Sequence, residues 1–169
     1  MANTYKLISR VIVGSGGTSS IDFTSIPGTY TDLVCKISAR DNAVGTVNNV
    51  IFKINGVTTS QSNRYLLGIG TAVSSASDTP IYFPSNGNGS TASTFSNMEV
   101  YMPNYASTTI NKSLSVDSVT EHNATAAYLS ITAGLYASNT AITSISITGN
   151  GGSSFLEYST AYLYGISNA

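Results

Sequence analysis

Apolar and polar residues alternate with a period of two along most of the chain. Leu33, Cys35, Ile37 and Ala39 interleave with Asp32, Val34, Lys36, Ser38 and Arg40. Val50, Phe52 and Ile54 do the same, and so do Met98, Val100 and Met102. Ile110, Lys112, Leu114 and Val116 share one face, Leu129, Ile131, Ala133 and Leu135 another, and Tyr158, Thr160, Tyr162, Tyr164 and Ile166 a third. This period places one side of each strand in a core and the other in water. Further strands are expected at Tyr5–Val13, Ser20–Thr24, Arg64–Ile69, Pro80–Phe83, Ile142–Thr148 and Ser153–Glu157. Asn55-Gly56 predicts a hairpin, because both central residues of a type I′ turn need positive φ. No window carries a helical apolar stripe. About ten short strands joined by Gly/Asn turns predict an all-β, single-domain antiparallel β-sandwich over residues 1–169, jelly-roll-like, with little or no helix. An up-and-down barrel is the alternative.

Two stretches, Gly70–Thr79 and Pro84–Thr94, have no periodicity and are rich in Ser, Thr, Gly and Asn. They are expected to be long surface loops, of the kind that often carries function. The C-terminal segment Tyr158–Ile166 is expected to be a well-paired strand beside Tyr5–Val13, leaving only Ser167, Asn168 and Ala169 as a mobile end.

Composition narrows the function classes. Only 9% of the residues are charged, with 7 Lys+Arg against 8 Asp+Glu and a net charge of −1. Ser, Thr, Asn and Gly make up 78 of the 169 residues. Seven scattered cations cannot neutralise a run of phosphates, so no nucleic-acid partner is expected. No stretch approaches 18 apolar residues, so no membrane-spanning helix is expected. The N-terminus lacks the charged and apolar regions of a signal peptide, which predicts synthesis and folding in the cytoplasm.

Candidate chemistry is sparse. His122, the one histidine, has Asp117 and Glu121 nearby as orienting acids for a triad, but no nucleophile motif accompanies it, and an exposed turn histidine is expected. Cys35 falls on an inward strand position and is expected to act as a small core hydrophobe. Asp117 and Glu121 are the closest carboxylate pair for glycoside hydrolysis, without a supporting motif. Asp41-Asn42 or Asp78 offer oxygen ligands to calcium, but no metal or cofactor site is expected. The surface candidates are tyrosines. Tyr101 and Tyr105 flank Pro103-Asn104, while Tyr158, Tyr162 and Tyr164 alternate near the C-terminus; all five are candidates for subunit or ligand contact.

Several segments, in order, carry a family likeness: the opening Ala2-Asn3-Thr4-Tyr5-Lys6-Leu7-Ile8, then Phe23 to Leu33, Ile54-Asn55-Gly56, Arg64-Tyr65-Leu66, Phe95, Glu99 to Tyr105, Val116 to Asn123, and the closing Tyr162-Leu163-Tyr164-Gly165-Ile166. Together these resemble small virion structural proteins of tailed bacteriophages infecting marine bacteria and cyanobacteria. The resemblance implies a non-enzymatic component of the particle, located in the virion. A capsid decoration, cement or surface-knob protein is expected, with the major capsid protein or other virion proteins as partners. A homo-oligomer is also expected, a trimer by analogy, with outward apolar residues such as Val34 and Ile51 as its motive. The alternatives are a tail-fibre or receptor-binding subunit contacting host-surface glycan, and a carbohydrate-binding module.

Overall fold

The computed structural model describes residues 4–123 and 127–167. It contains twelve strands: β1 (Tyr5–Ile12), β2 (Ser20–Phe23), β3 (Asp32–Ala39), β4 (Val47–Ile54), β5 (Gln61–Ile69), β6 (Ala72–Asp78), β7 (Tyr82–Asn86), β8 (Ser96–Pro103), β9 (Lys112–Val119), β10 (Tyr128–Tyr136), β11 (Ile145–Gly149) and β12 (Thr160–Ile166). The one helical element among the described residues is a 3-10 turn at Asn150–Gly152. The large sheet runs β1-β12-β3-β8-β9-β10-β5-β6 and the small sheet β2-β11-β4-β7, with every ladder antiparallel.

This order contains a jelly roll. The quartet β1-β12-β3-β8 faces the quartet β2-β11-β4-β7, and the chain winds back and forth between them. The remaining four strands are two insertions. One, β5-β6, lies in the chain between β4 and β7; the other, β9-β10, lies between β8 and β11. Both add to the same side of the large quartet, extending it past the edge of the small sheet. A sandwich of two four-stranded sheets therefore gains a four-strand extension.

The core lies mainly between the quartets, and Leu114 and Val116 of β9 and Tyr136 of β10 continue it under the extension. Leu33, Cys35, Ile37, Met98, Val100, Met102, Ala161 and Leu163 face Ile21, Phe23, Val50, Phe52, Ile54, Phe83, Ile145 and Ile147, all buried. The Phe52 and Phe83 rings meet at 6.2 Å between centroids, tilted by 45°. Truncating either to Ala should cost about 3–5 kcal/mol. Cys35 sits in this layer as expected, and burial raises its pKa.

Several local expectations change. Gly70–Thr79 is not a loop, since it contains β6, a full-length partner of β5. All seven β6 residues are exposed, so neither face selects apolar residues and no alternation marks the strand. The short strand expected at Pro80–Phe83 is shifted to β7, which runs through Pro84 at the edge of the small sheet, where a missing N–H is tolerated. Ser153–Glu157 is not a strand; Phe155 makes only isolated bridges, to Thr18 and Asp41. Asn55 (φ 51°) and Gly56 (φ 75°) form the expected tight turn, closed by the Ile54–Val57 bridge, but β4 and β5 lie in different sheets, so it is no hairpin.

The rest of the second expected loop is anchored. Arg40 is buried, and its guanidinium donates to the carbonyls of Asn88 (3.0 Å), Ser90 (3.0 Å), Thr91 (2.6 Å) and Thr94 (3.2 Å). The same loop is zipped to the β3–β4 connection through Asn88 N–H to the Ala43 carbonyl (2.7 Å) and Gly89 N–H to the Gly45 carbonyl (3.1 Å). The approach is close enough that a Cβ on Gly87 would lie 2.3 Å from the Gly45 oxygen. Arg40→Met keeps the stem but strands these carbonyls. It should cost roughly 2–4 kcal/mol and raise amide exchange across residues 87–95. An unchanged melting midpoint and exchange pattern would show that the loop holds itself.

Candidate functional site

The five candidate tyrosines do not form one site. Tyr105 is fully buried; its hydroxyl donates to the Pro27 carbonyl and accepts from the Tyr30 N–H at 3.4 Å, so it is a core residue. Tyr158 lies outside β12, at φ 71° and 71% exposed, away from the alternation that seemed to include it. Tyr101, Tyr162 and Tyr164 do share a surface, the outer face of β1-β12-β3-β8. Val34 pairs with Tyr164 on one side and Tyr101 on the other. Tyr5, which the sequence reading passed over, joins them: its ring meets Tyr164 edge-on at 6.2 Å, and Tyr164 stacks on Tyr162 at 6.5 Å.

The strip is half-buried apart from Tyr5, which is exposed. Val34, an outward residue on β3, is completely buried, so its flanking side chains cover it. Tyr101 donates to Asp32 at 2.8 Å, and that bond raises its pKa. Lys36 pairs with Glu99 at 2.5 Å and has its pKa raised by that bond. With Ile51 half-buried, neither of the two outward residues that motivated an oligomer is an exposed apolar surface.

Besides exposed residues on β1 such as Leu7 and Ile12, a run of exposed apolar residues lies on the extension. On β10, Ser130, Thr132 and Gly134 point inward and are buried, whereas Leu129, Ile131, Ala133 and Leu135 point outward and are exposed. The strand has the expected period with the opposite phase. Leu129 and Ile131 are each 57% exposed. In register beside them on the same face lie Val119 of β9, Leu66 of β5 and, across the hairpin, Val73 of β6, all exposed. The result is an aliphatic stripe across four strands. Asp117 and Arg64 flank it, one strand to either side of β10.

The other candidates resolve individually. His122 is buried rather than exposed, and among the described residues neither ring nitrogen has a hydrogen-bond partner. No triad bond to Asp117 or Glu121 forms. Asp117 points outward on β9, opposite Ile131 and Glu99, and Glu121 is exposed. The Asp41 carboxylate accepts from the Ala43 N–H (3.0 Å), the Asn48 amide (2.6 Å) and the Ser153 hydroxyl (2.9 Å), a donor set that holds it in place between the β3–β4 connection and Ser153. Asp78 accepts from Tyr82 and from the Thr79 N–H (2.8 Å), which hold its pKa down. Among the described residues no group of three or more His, Cys, Asp or Glu side chains is placed to hold a metal.

The titrating groups predict alkaline sensitivity. Burial raises the pKa values of Cys35, Tyr82 and Tyr105, and bonding to Asp32 raises that of Tyr101. A folded pKa above the unfolded one gives stability that is present below the unfolded value and lost as pH rises through the folded one. Lys112 has the opposite sign. It is buried on β9 with its ammonium donating to the Ser138 (3.2 Å) and Thr140 (2.8 Å) carbonyls, and burial lowers its pKa. One lysine is outnumbered, so the melting midpoint should fall as pH rises above about 9–10, where unfolded thiols and phenols ionise. Thermal melts from neutral to alkaline pH test this; a midpoint that holds or rises would contradict it.

No protein-family model, curated protein or solved structure matches the chain.

Proposed function

We propose that the protein is a non-enzymatic structural component of a tailed-bacteriophage particle, a capsid decoration or surface-knob protein, that binds the shell and its own copies through the outer face of the extension. The observation that carries this reading is the inverted β10. A strand that turns Leu129, Ile131 and Leu135 to solvent, beside Leu66, Val119 and Val73, presents a contiguous apolar stripe of the kind that marks a protein contact. The jelly-roll quartets are complete without β5, β6, β9 and β10, so the stripe is carried by added strands.

Two further features support the reading. The stripe's charges are self-complementary. A two-fold axis along β10 would bring Arg64 of one copy toward Asp117 of the other, one strand either side of the centre. Low charge density also removes long-range repulsion between crowded copies. The fold adds an analogy, since jelly rolls build viral capsid domains as well as lectins. Labelling of purified particles with an antibody against the chain tests the assignment. Dense label over the head supports decoration. Label confined to the tail would move the protein to the tail-fibre role, and absence from particles would end the virion reading.

A further inference from the structure

The inward side of β10 carries a second surface, independent of whether the stripe binds a shell. The extension overhangs the small sheet, which ends at β7, and a cleft of about 110 Å³ opens beneath the overhang. It is lined by Tyr65 and Leu67 of β5, Tyr82 and Pro84 of β7, Tyr128, Ser130 and Thr132 of β10, and Asn49 of β4. We propose that this cleft binds a neutral sugar, taking the terminal pyranose ring of a glycan.

The lining selects that chemistry. No charged side chain lines the cleft, so nothing in it compensates an anionic or cationic ligand. Ser130 and Thr132 are each 1% exposed, with their hydroxyls 3.5 Å apart. Their positions are ones where a sandwich interior ordinarily holds aliphatic residues. The two hydroxyls bond each other and are closed to solvent, so they make the inner wall polar while the groups open to a ligand lie nearer the rim. Among the described residues, the Asn49 amide and the Tyr128 hydroxyl have no hydrogen bond. The Tyr65 and Tyr82 rings stand 6.2 Å apart, tilted by 49°, and give apolar walls. Tyr82 is fixed by its bond to Asp78. Apolar walls with a few convergent hydroxyl and amide groups match a ring that has C–H faces and hydroxyl edges. The volume equals that of three or four liquid waters at ~30 Å³ each, so the cleft admits one ring edge and leaves the rest of a glycan outside.

Amide chemical-shift mapping of the full chain tests the proposal. The probes are the methyl glycosides of glucose, galactose, mannose and N-acetylglucosamine, with glucuronic acid, sialic acid and a proline-rich peptide as contrasts. At least one neutral glycoside should shift residues 49, 65, 82, 128, 130 and 132, with a dissociation constant of about 1 mM. Asn49→Ala removes the free amide from the cleft and should weaken binding about tenfold. Should that variant fold poorly by its own amide spectrum, Tyr128→Ala at the half-exposed rim serves the same purpose. Asp22→Asn, exposed on β2 at the far edge of the small sheet, should leave the affinity unchanged. The proposal is overturned if no neutral glycoside shifts the cleft, if shifts fall elsewhere, if the cleft variants bind as tightly as the parent, or if the acidic sugars or the peptide bind the cleft equally well.

Discussion

Deleting residues 161–169 should abolish folding. The segment includes nearly all of β12, which lies between β1 and β3 and pairs with both along its length. Its inward residues Ala161 and Leu163 are fully buried in the core. Gly165 has no room for a side chain, because a Cβ there would lie 2.3 Å from the Tyr30 ring. Removing the strand takes these contacts away, leaves β1 without a partner in its sheet, and turns β3 into an exposed edge. A domain with a typical stability of about 5–15 kcal/mol does not survive the loss of one of the two central strands in a jelly-roll quartet. The truncated chain should be insoluble or unfolded by circular dichroism. A truncated chain that melted cooperatively at the parent's midpoint would show that β12 is an appendage.

The second large effect is expected on association, with the fold kept intact. Leu129→Asp with Ile131→Asp places two carboxylates at the centre of the stripe, where both side chains already face water. Surface substitutions of this kind usually change stability by about 0.5 kcal/mol or less, so the melting midpoint should barely move. Binding should change greatly. Two central anchors at about 2 kcal/mol each amount to about a thousandfold in the dissociation constant. Sedimentation velocity should show the parent associating as concentration rises and the variant remaining monomeric. If the variant unfolds instead, the outward residues hold the monomer together and the stripe is no contact surface.

The sequence made the inner layers legible because alternation with one wet face is a strong constraint. The inward sets of β3, β4 and β8 stand where the period placed them. The pairing of the C-terminal strand with β1 was also anticipated, from the density of strand-forming residues near the end. Period does not give phase, however. On β10 the aliphatic residues were read as a core face, but the fold buries Ser130, Thr132 and Gly134 on the inner side and turns the aliphatic residues outward. Strand β6 was invisible for a related reason: both of its faces meet solvent, so only backbone pairing with β5 defines it.

The candidate site was legible only in part. Tyr162 and Tyr164 lie on one strand face as the alternation placed them, but Tyr101 was grouped with Tyr105 rather than with them, and Tyr158 and Tyr105 belong elsewhere. What brought the remaining tyrosines together is the non-local order β12-β3-β8, which no short-range pattern encodes. The cleft depends on the same kind of information. Tyr65, Tyr82 and Tyr128 lie on three strands from two sheets. Ser130 and Thr132 alternate with aliphatic residues on β10, a pattern that reads as an ordinary half-buried strand until the phase is known. The expected mobile end lies mostly outside the described residues, as Asn168 and Ala169 are not among them.

The most direct measurement is binding to particles. Phage particles assembled without this protein would be incubated with the purified parent chain or with the Leu129→Asp, Ile131→Asp variant, and the bound protein quantified after gradient separation. The account predicts that the parent saturates at many copies per particle and that the folded variant does not bind. Equal binding by both proteins, or no binding of the parent at any concentration, would contradict the claim that the outer face of the extension joins this chain to the virion.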